Sequence, residues 1–78
     1  MPLSLDQIKI GTKGIVLDVS QSHIRAKLLE LGFVSGSEIE VVFRAPLNDP
    51  IAVELNGFLI SLRLEEASTI FIEDELLS

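Results

Sequence analysis

The chain has 78 residues, twelve acidic against six basic side chains, a net charge of −6 and a 47% hydrophobic content. A chain this short makes one domain and buries only about 60% of the surface its unfolded form exposes. It has no cysteine for a disulfide or thiolate metal site, so only packing can hold it together. The six bases (Lys9, Lys13, Arg25, Lys27, Arg44 and Arg63) are scattered, which argues against nucleic acid and anionic membrane surfaces, since both are bound by clustered positive charge. No apolar run approaches the roughly 20 residues of a membrane span, and the N-terminus lacks the basic-then-apolar order of a signal peptide. The expectation is a soluble cytoplasmic domain without membrane insertion.

Ser4-Leu5-Asp6-Gln7 has the spacing of a capping box, with Leu3 and Ile8 placed as a hydrophobic staple. This predicts one short helical turn that stops near Gly11. In residues 14–19, Ile15, Leu17 and Val19 alternate with Val16 and Asp18, as in a half-buried strand. A helix follows, capped by Ser20 or Ser22 and running through Leu31, with Gly32 placed to stop it. At 100° per residue, Ile24, Leu28 and Leu31 share one stripe, and Leu29 falls outside it beside Arg25, either covered by another element or exposed.

Residues 37–45 alternate again, with Ile39, Val41 and Phe43 on one face and Glu38, Glu40 and Arg44 on the other. Pro46 and Pro50 interrupt that strand, because proline cannot donate to a ladder. Asn56-Gly57 then fits a two-residue type I′ hairpin loop. The resulting register sets Leu55 opposite Phe58, Val53 opposite Ile60 and Ile51 opposite Leu62, with all six on one side. A last strand, residues 69–73, leads to an acidic tail at 74–78 that is expected to lie outside the core. The whole reads as one mainly β domain over 1–78: a small, partly open barrel of about five strands, one inserted helix and an N-terminal helical turn.

The chain has no tyrosine or tryptophan, one histidine (His23) and no cysteine. No nucleophile, base and orienting group can be assembled from these, and the glycines form no phosphate-cradling loop, so no enzyme is expected. One histidine per chain cannot supply the imidazole pair that ferrous iron favours. A carboxylate-and-water site near the acidic tail would hold Fe(II) or another divalent metal only weakly, and no cofactor is expected. Arg63 and Glu66, three apart on a turn after the hairpin, read as an ion pair or as a clamp that aims the last strand.

These motifs, taken in order, resemble the ferrous iron transport protein A family, FeoA, over essentially the whole length. Leu5, Ile8 and Gly11 carry its opening pattern, and Arg25, Leu28, Leu31, Gly32 and Phe33 its helix end. Gly36 carries the following turn, where Ser35 stands in place of the usual proline. Ala45, Pro46, Asp49 and Pro50 match its Ala-Pro-x-x-Asp-Pro segment, and Ile60, Leu62, Arg63, Glu66, Ala67 and Ile70 its final motif. The resemblance implies an SH3-like barrel and a cytoplasmic accessory role in bacterial ferrous iron uptake. It also implies a partner, the membrane iron permease FeoB with its GTP-binding domain. The alternative is a stand-alone metal-responsive domain related to the C-terminal domain of iron-dependent repressors.

If the work is recognition, the apolar residues that the barrel does not need should carry it. Alternation puts Val16, Val42 and Leu59 outside, with Phe71 displaced in the same way; the N-terminal turn and the helix must cover part of that face, so several of these can instead form a second small core. The expected partner site is a groove formed by Arg25, Leu29 and Leu59. A homodimer through the same patch is the competing use. Gly32, Gly36, Pro46, Pro50, Asn56, Gly57, Arg63 and Glu66 are expected to shape turns and ends.

Overall fold

A computed structural model describes residues 3–74. The chain runs β1 (Leu3–Ser4), a 3₁₀ turn (Leu5–Gln7), β2 (Lys13–Val19), α1 (Arg25–Leu31) and β3 (Glu38–Arg44). It continues through a second 3₁₀ turn (Pro46–Asn48), β4 (Ile51–Leu55), β5 (Phe58–Leu62), α2 (Leu64–Ala67) and β6 (Ile70–Asp74). The six strands form one antiparallel sheet in the order β1-β6-β2-β3-β4-β5. The expected mainly β architecture is therefore present, with one strand and one short helix beyond the expected set. The extra strand is β1, where Leu3 pairs with Ile72 and Ser4 with Phe71. Residues 75–78, most of the expected acidic tail, lie outside the described residues.

The N-terminal turn forms where its capping pattern places it, with Gln7 Oε1 accepting from the Ser4 N–H (3.4 Å) and hydroxyl (3.1 Å). It ends at Ile8 rather than near Gly11. The Arg44 guanidinium fixes it from across the chain by donating to the carbonyls of Asp6 (2.9 Å) and Ile8. The hairpin has the expected register. Asn56 and Gly57 both take positive φ, 50° and 89°, as the type I′ loop requires. Asn56 Oδ1 also accepts the Glu38 N–H at 3.1 Å, which ties the loop to β3.

Two β-bulges overturn parts of the alternation reading. The pairing of β2 with β6 shifts between Val16 and Asp18, and that of β3 with β4 between Val41 and Phe43. An extra residue in one strand flips the side chains beyond it to the other face. Val16, expected outside, is therefore fully buried together with Val19, and Leu17 is only half-buried. Phe43, expected inside, is 55% exposed. Near this first bulge Gly14 is buried against β6, where a Cβ would stand 2.6 Å from Ile72 Cγ2 and 2.7 Å from the Glu73 carbonyl oxygen. Only glycine lets those two backbones approach so closely.

The helix also departs from its predicted span. It begins at Arg25, after Ile24 and without a side-chain cap, and ends at Gly32. Arg25 Nε donates to the Val19 carbonyl at 2.9 Å. Leu29 lies one turn further along the same side of the helix, so this tie rolls it onto the core beside Ile24 and Leu28. Leu31 is left 44% exposed. The core includes Leu5, Phe33, Val41, Ile51 and Ile70, each with no solvent exposure.

Candidate partner-binding surface

The residues expected to form one groove do not meet. Arg25 is engaged with β2, through the Val19 carbonyl and a 3.5 Å contact with Asp18 Oδ1. Leu29 packs onto the core. Leu59, on β5, points away from that core and is 71% exposed. Leu29 and Leu59 thus lie on opposite sides of the sheet, because β5 turns Ile60 and Leu62 inward and Leu59 outward.

Arg63 and Glu66 are likewise separated as a side-chain pair. Glu66 Oε1 accepts the backbone N–H of Arg63 at 2.9 Å, closing the first turn of α2. Glu66 Oε2 takes the Lys27 ammonium of α1 at 2.7 Å. The lysine contact, then the Arg63 N–H, hold this carboxyl below its ordinary range against the opposing effect of burial. The Arg63 guanidinium instead faces Asp49 Oδ1 at 3.8 Å, and the same oxygen accepts the Leu64 N–H at 3.2 Å. These contacts gather the loop after β3, α1 and α2 at one end of the barrel. Pro46 and Pro50 bound that loop, and the Ala45 N–H donates to the Pro50 carbonyl across it at 3.0 Å. Gly36 lies at the turn before β3, with its N–H on the Val16 carbonyl at 2.8 Å.

Exposed apolar groups stand at several places, with Leu47 in the loop after β3 at 96% and two more on the hairpin. Phe58 is 74% and Leu59 71% exposed. Phe58 was expected inside, opposite the buried Leu55, but β5 has a strand neighbour on one side only. The strand registers place Lys13, Glu40, Glu54 and Leu59 in a single cross-strand row on four adjacent strands. Glu40 and Glu54 stand directly opposite each other, and neither has a cation within 4 Å among the described residues. A cavity of about 150 Å³, lined by Lys13, Glu38, Glu40, Glu54 and Asn56, opens over this row. It is smaller than the roughly 300–1,000 Å³ of ordinary small-molecule sites. Among the described residues no three His, Asp or Glu side chains converge as metal ligands. His23 and Glu65 come within 3.7 Å of each other as a solvent-exposed pair. Neither Phe43 nor Phe58 could have been placed outside from alternation alone; the signal for Phe58 was its position on the last strand of a hairpin.

A curled antiparallel sheet with two short helices, and with its charged row on the outside, defines a small SH3-like barrel module. The chain belongs to the FeoA family: the sequence pattern of the FeoA domain matches residues 3–74. It is 35% identical over 72 residues to the Fe(2+) transport protein A/Fe(2+) transporter FeoB fusion protein of Porphyromonas gingivalis. That match covers 91% of this chain and 8% of the fusion protein, so the chain spans a small part of that relative's length. The FeoA-like protein of Clostridium acetobutylicum superposes with a TM-score of 0.88 at 36% identity, covering 95% of this chain and 87% of that one. FeoA of Stenotrophomonas maltophilia, described as a prokaryotic SH3 domain protein and solved with zinc, superposes with a TM-score of 0.82 at 29% identity, covering 91% and 89%. A manganese-dependent transcriptional repressor shares the fold alone, with a TM-score of 0.85 at 20% identity over 94% of this chain and 36% of that one.

Proposed function

We propose that this chain is a small cytoplasmic accessory protein of bacterial ferrous iron uptake, acting by protein–protein interaction with the membrane iron permease. The observation that carries the reading is the fusion in Porphyromonas gingivalis, where a segment similar to this chain is covalently joined to the FeoB transporter. Joining two modules raises the effective concentration of one for the other, which is useful when they must meet to function. The polar groups of the barrel support the same view. At the helical end they hold elements together, while on the hairpin side Glu54 and Leu59 stand exposed in one row, which supports recognition as its work.

Co-purification from the native cell under reducing conditions tests the proposal. The permease should elute with the tagged chain, and its absence from the eluate would remove the reading. The competing reading, a metal-responsive domain, draws on the fold shared with the manganese-dependent repressor. Anaerobic calorimetry with Fe(II) or Mn(II) separates the two, since sub-micromolar affinity would favour the second.

A further inference from the structure

The sheet ends at β5, and the direction of its free hydrogen bonds can be worked out. The Asn56 N–H donates to the Glu38 carbonyl at 3.0 Å, toward β3. Main-chain groups alternate sides along a strand, so Glu54 and Ala52 also face β3 while Leu55, Val53 and Ile51 face β5. Their partners Phe58, Ile60 and Leu62 use their N–H and carbonyl groups on that side. Leu59 and Ser61 therefore point theirs outward, and among the described residues neither has a main-chain partner. This edge has none of the usual protection: Phe58-Leu59-Ile60-Ser61-Leu62 contains no charge, no proline and no bulge. Phe58 on one face and Leu59 on the other are both largely exposed beside it.

Charge says what fits there. The row Lys13–Glu40–Glu54–Leu59 reaches this edge with Lys13 beside Glu40, whereas Glu54, flanked by Glu40 and Leu59, has a like charge and no basic residue as its cross-strand neighbours. We propose that the free edge of β5 receives an extended strand of the permease by β-augmentation. This strand carries a lysine or arginine on the Leu59 face and apolar side chains on the Phe58 face. The aliphatic stem of the basic residue would cover Leu59 and carry its charge toward Glu54, while main-chain bonds to Leu59 and Ser61 supply the pairing. A second copy of this chain fits less well, because it would bring another net charge of −6. The inference rests on the accessory reading above and specifies the surface it uses.

The test uses the full chain and the full-length permease in nanodiscs. Ser61→Pro removes an outward N–H while leaving the β4–β5 ladder intact, so the variant should fold, as its thermal unfolding will report. Its affinity for the permease should fall about tenfold or more. Glu54→Gln should weaken binding by a smaller factor and flatten its salt dependence. Independently of any variant, residue-resolved hydrogen exchange of the parent should slow at Leu59 and Ser61 when the permease is added. If the parent binds while a folded Ser61→Pro binds equally well and those two amides are unchanged, the edge inference is overturned and the accessory reading stands. If the parent does not bind at all, the accessory reading fails and the edge inference with it. If the amides become protected in the chain alone as its concentration rises, the occupant is a second copy and the assignment to a basic strand is overturned.

Discussion

At the helical end of the barrel the charged side chains are tied to neighbouring elements; at the hairpin end Glu40 and Glu54 stand side by side with no cation within 4 Å among the described residues. Lys27 meets Glu66 across α1 and α2, Arg25 holds the Val19 carbonyl, and Asp49 receives both Arg63 and the Leu64 N–H. Beside the hairpin, Glu40 and Glu54 face each other next to an uncovered Leu59. In a domain with a small core, the first arrangement positions two short helices that local propensity could not hold. The second leaves surface and charge for something outside the chain. The contrast predicts that substitutions at the helical end will change stability, and that those at the hairpin end will change binding.

The largest effect should come from under the helix. Phe33→Ala should cost about 3–5 kcal/mol and leave the domain largely unfolded, because Phe33 is fully buried; denaturant unfolding measures it. Glu66→Gln should cost about 1 kcal/mol by losing the Lys27 contact. Its pH dependence sharpens the test. A carboxyl held below its ordinary range binds fewer protons folded than unfolded, so its contribution is complete above that range and is lost as pH falls through the lowered value. Acid titration of stability should accordingly be shallower in the glutamine variant. At the other end, Glu54→Gln should leave stability unchanged or raise it by a few tenths of a kcal/mol, since it relieves a like-charge pair. Leu59→Ser should shift stability by less than about 0.5 kcal/mol while weakening capture of the permease. A large loss of stability from Leu59→Ser would break the contrast by showing that the hairpin surface supports the fold.

Local chemistry was legible in the chain; features that depend on a distant partner were not. Asn56-Gly57 set the hairpin register because a two-residue loop leaves its flanking residues no other pairing. Ser4 and Gln7 marked the first turn for a similar reason, being three residues apart. The bulges at residues 16–18 and 41–43 exist only relative to β6 and β4, so alternation placed Val16 outside and Phe43 inside. The helix stripe shifts with one bond to the strand before it, six residues back: with Arg25 on the Val19 carbonyl, the face that carries Leu29 turns inward. Arg63 and Glu66 do meet at the turn after the hairpin, where Glu66 accepts the Arg63 N–H, while Asp49 and Lys27 approach their side chains only in the folded sheet. Arg25, Leu29 and Leu59 are not brought together in the folded chain, and the edge of β5 is visible only once the strand order is known.

The position of β6 has a further consequence. It is inserted between β1 and β2, so Leu3 finds its neighbour in Ile72 and Val19 in Ile70. A growing chain on the ribosome would thus carry its earliest segment unpaired until almost the last residue of the domain had emerged. Assembly of this barrel should then be a late, all-or-none event, slowed by the long loop that must close before those contacts are made. Trimming the chain back before Ile70 should accordingly release its opening residues as well as its final ones.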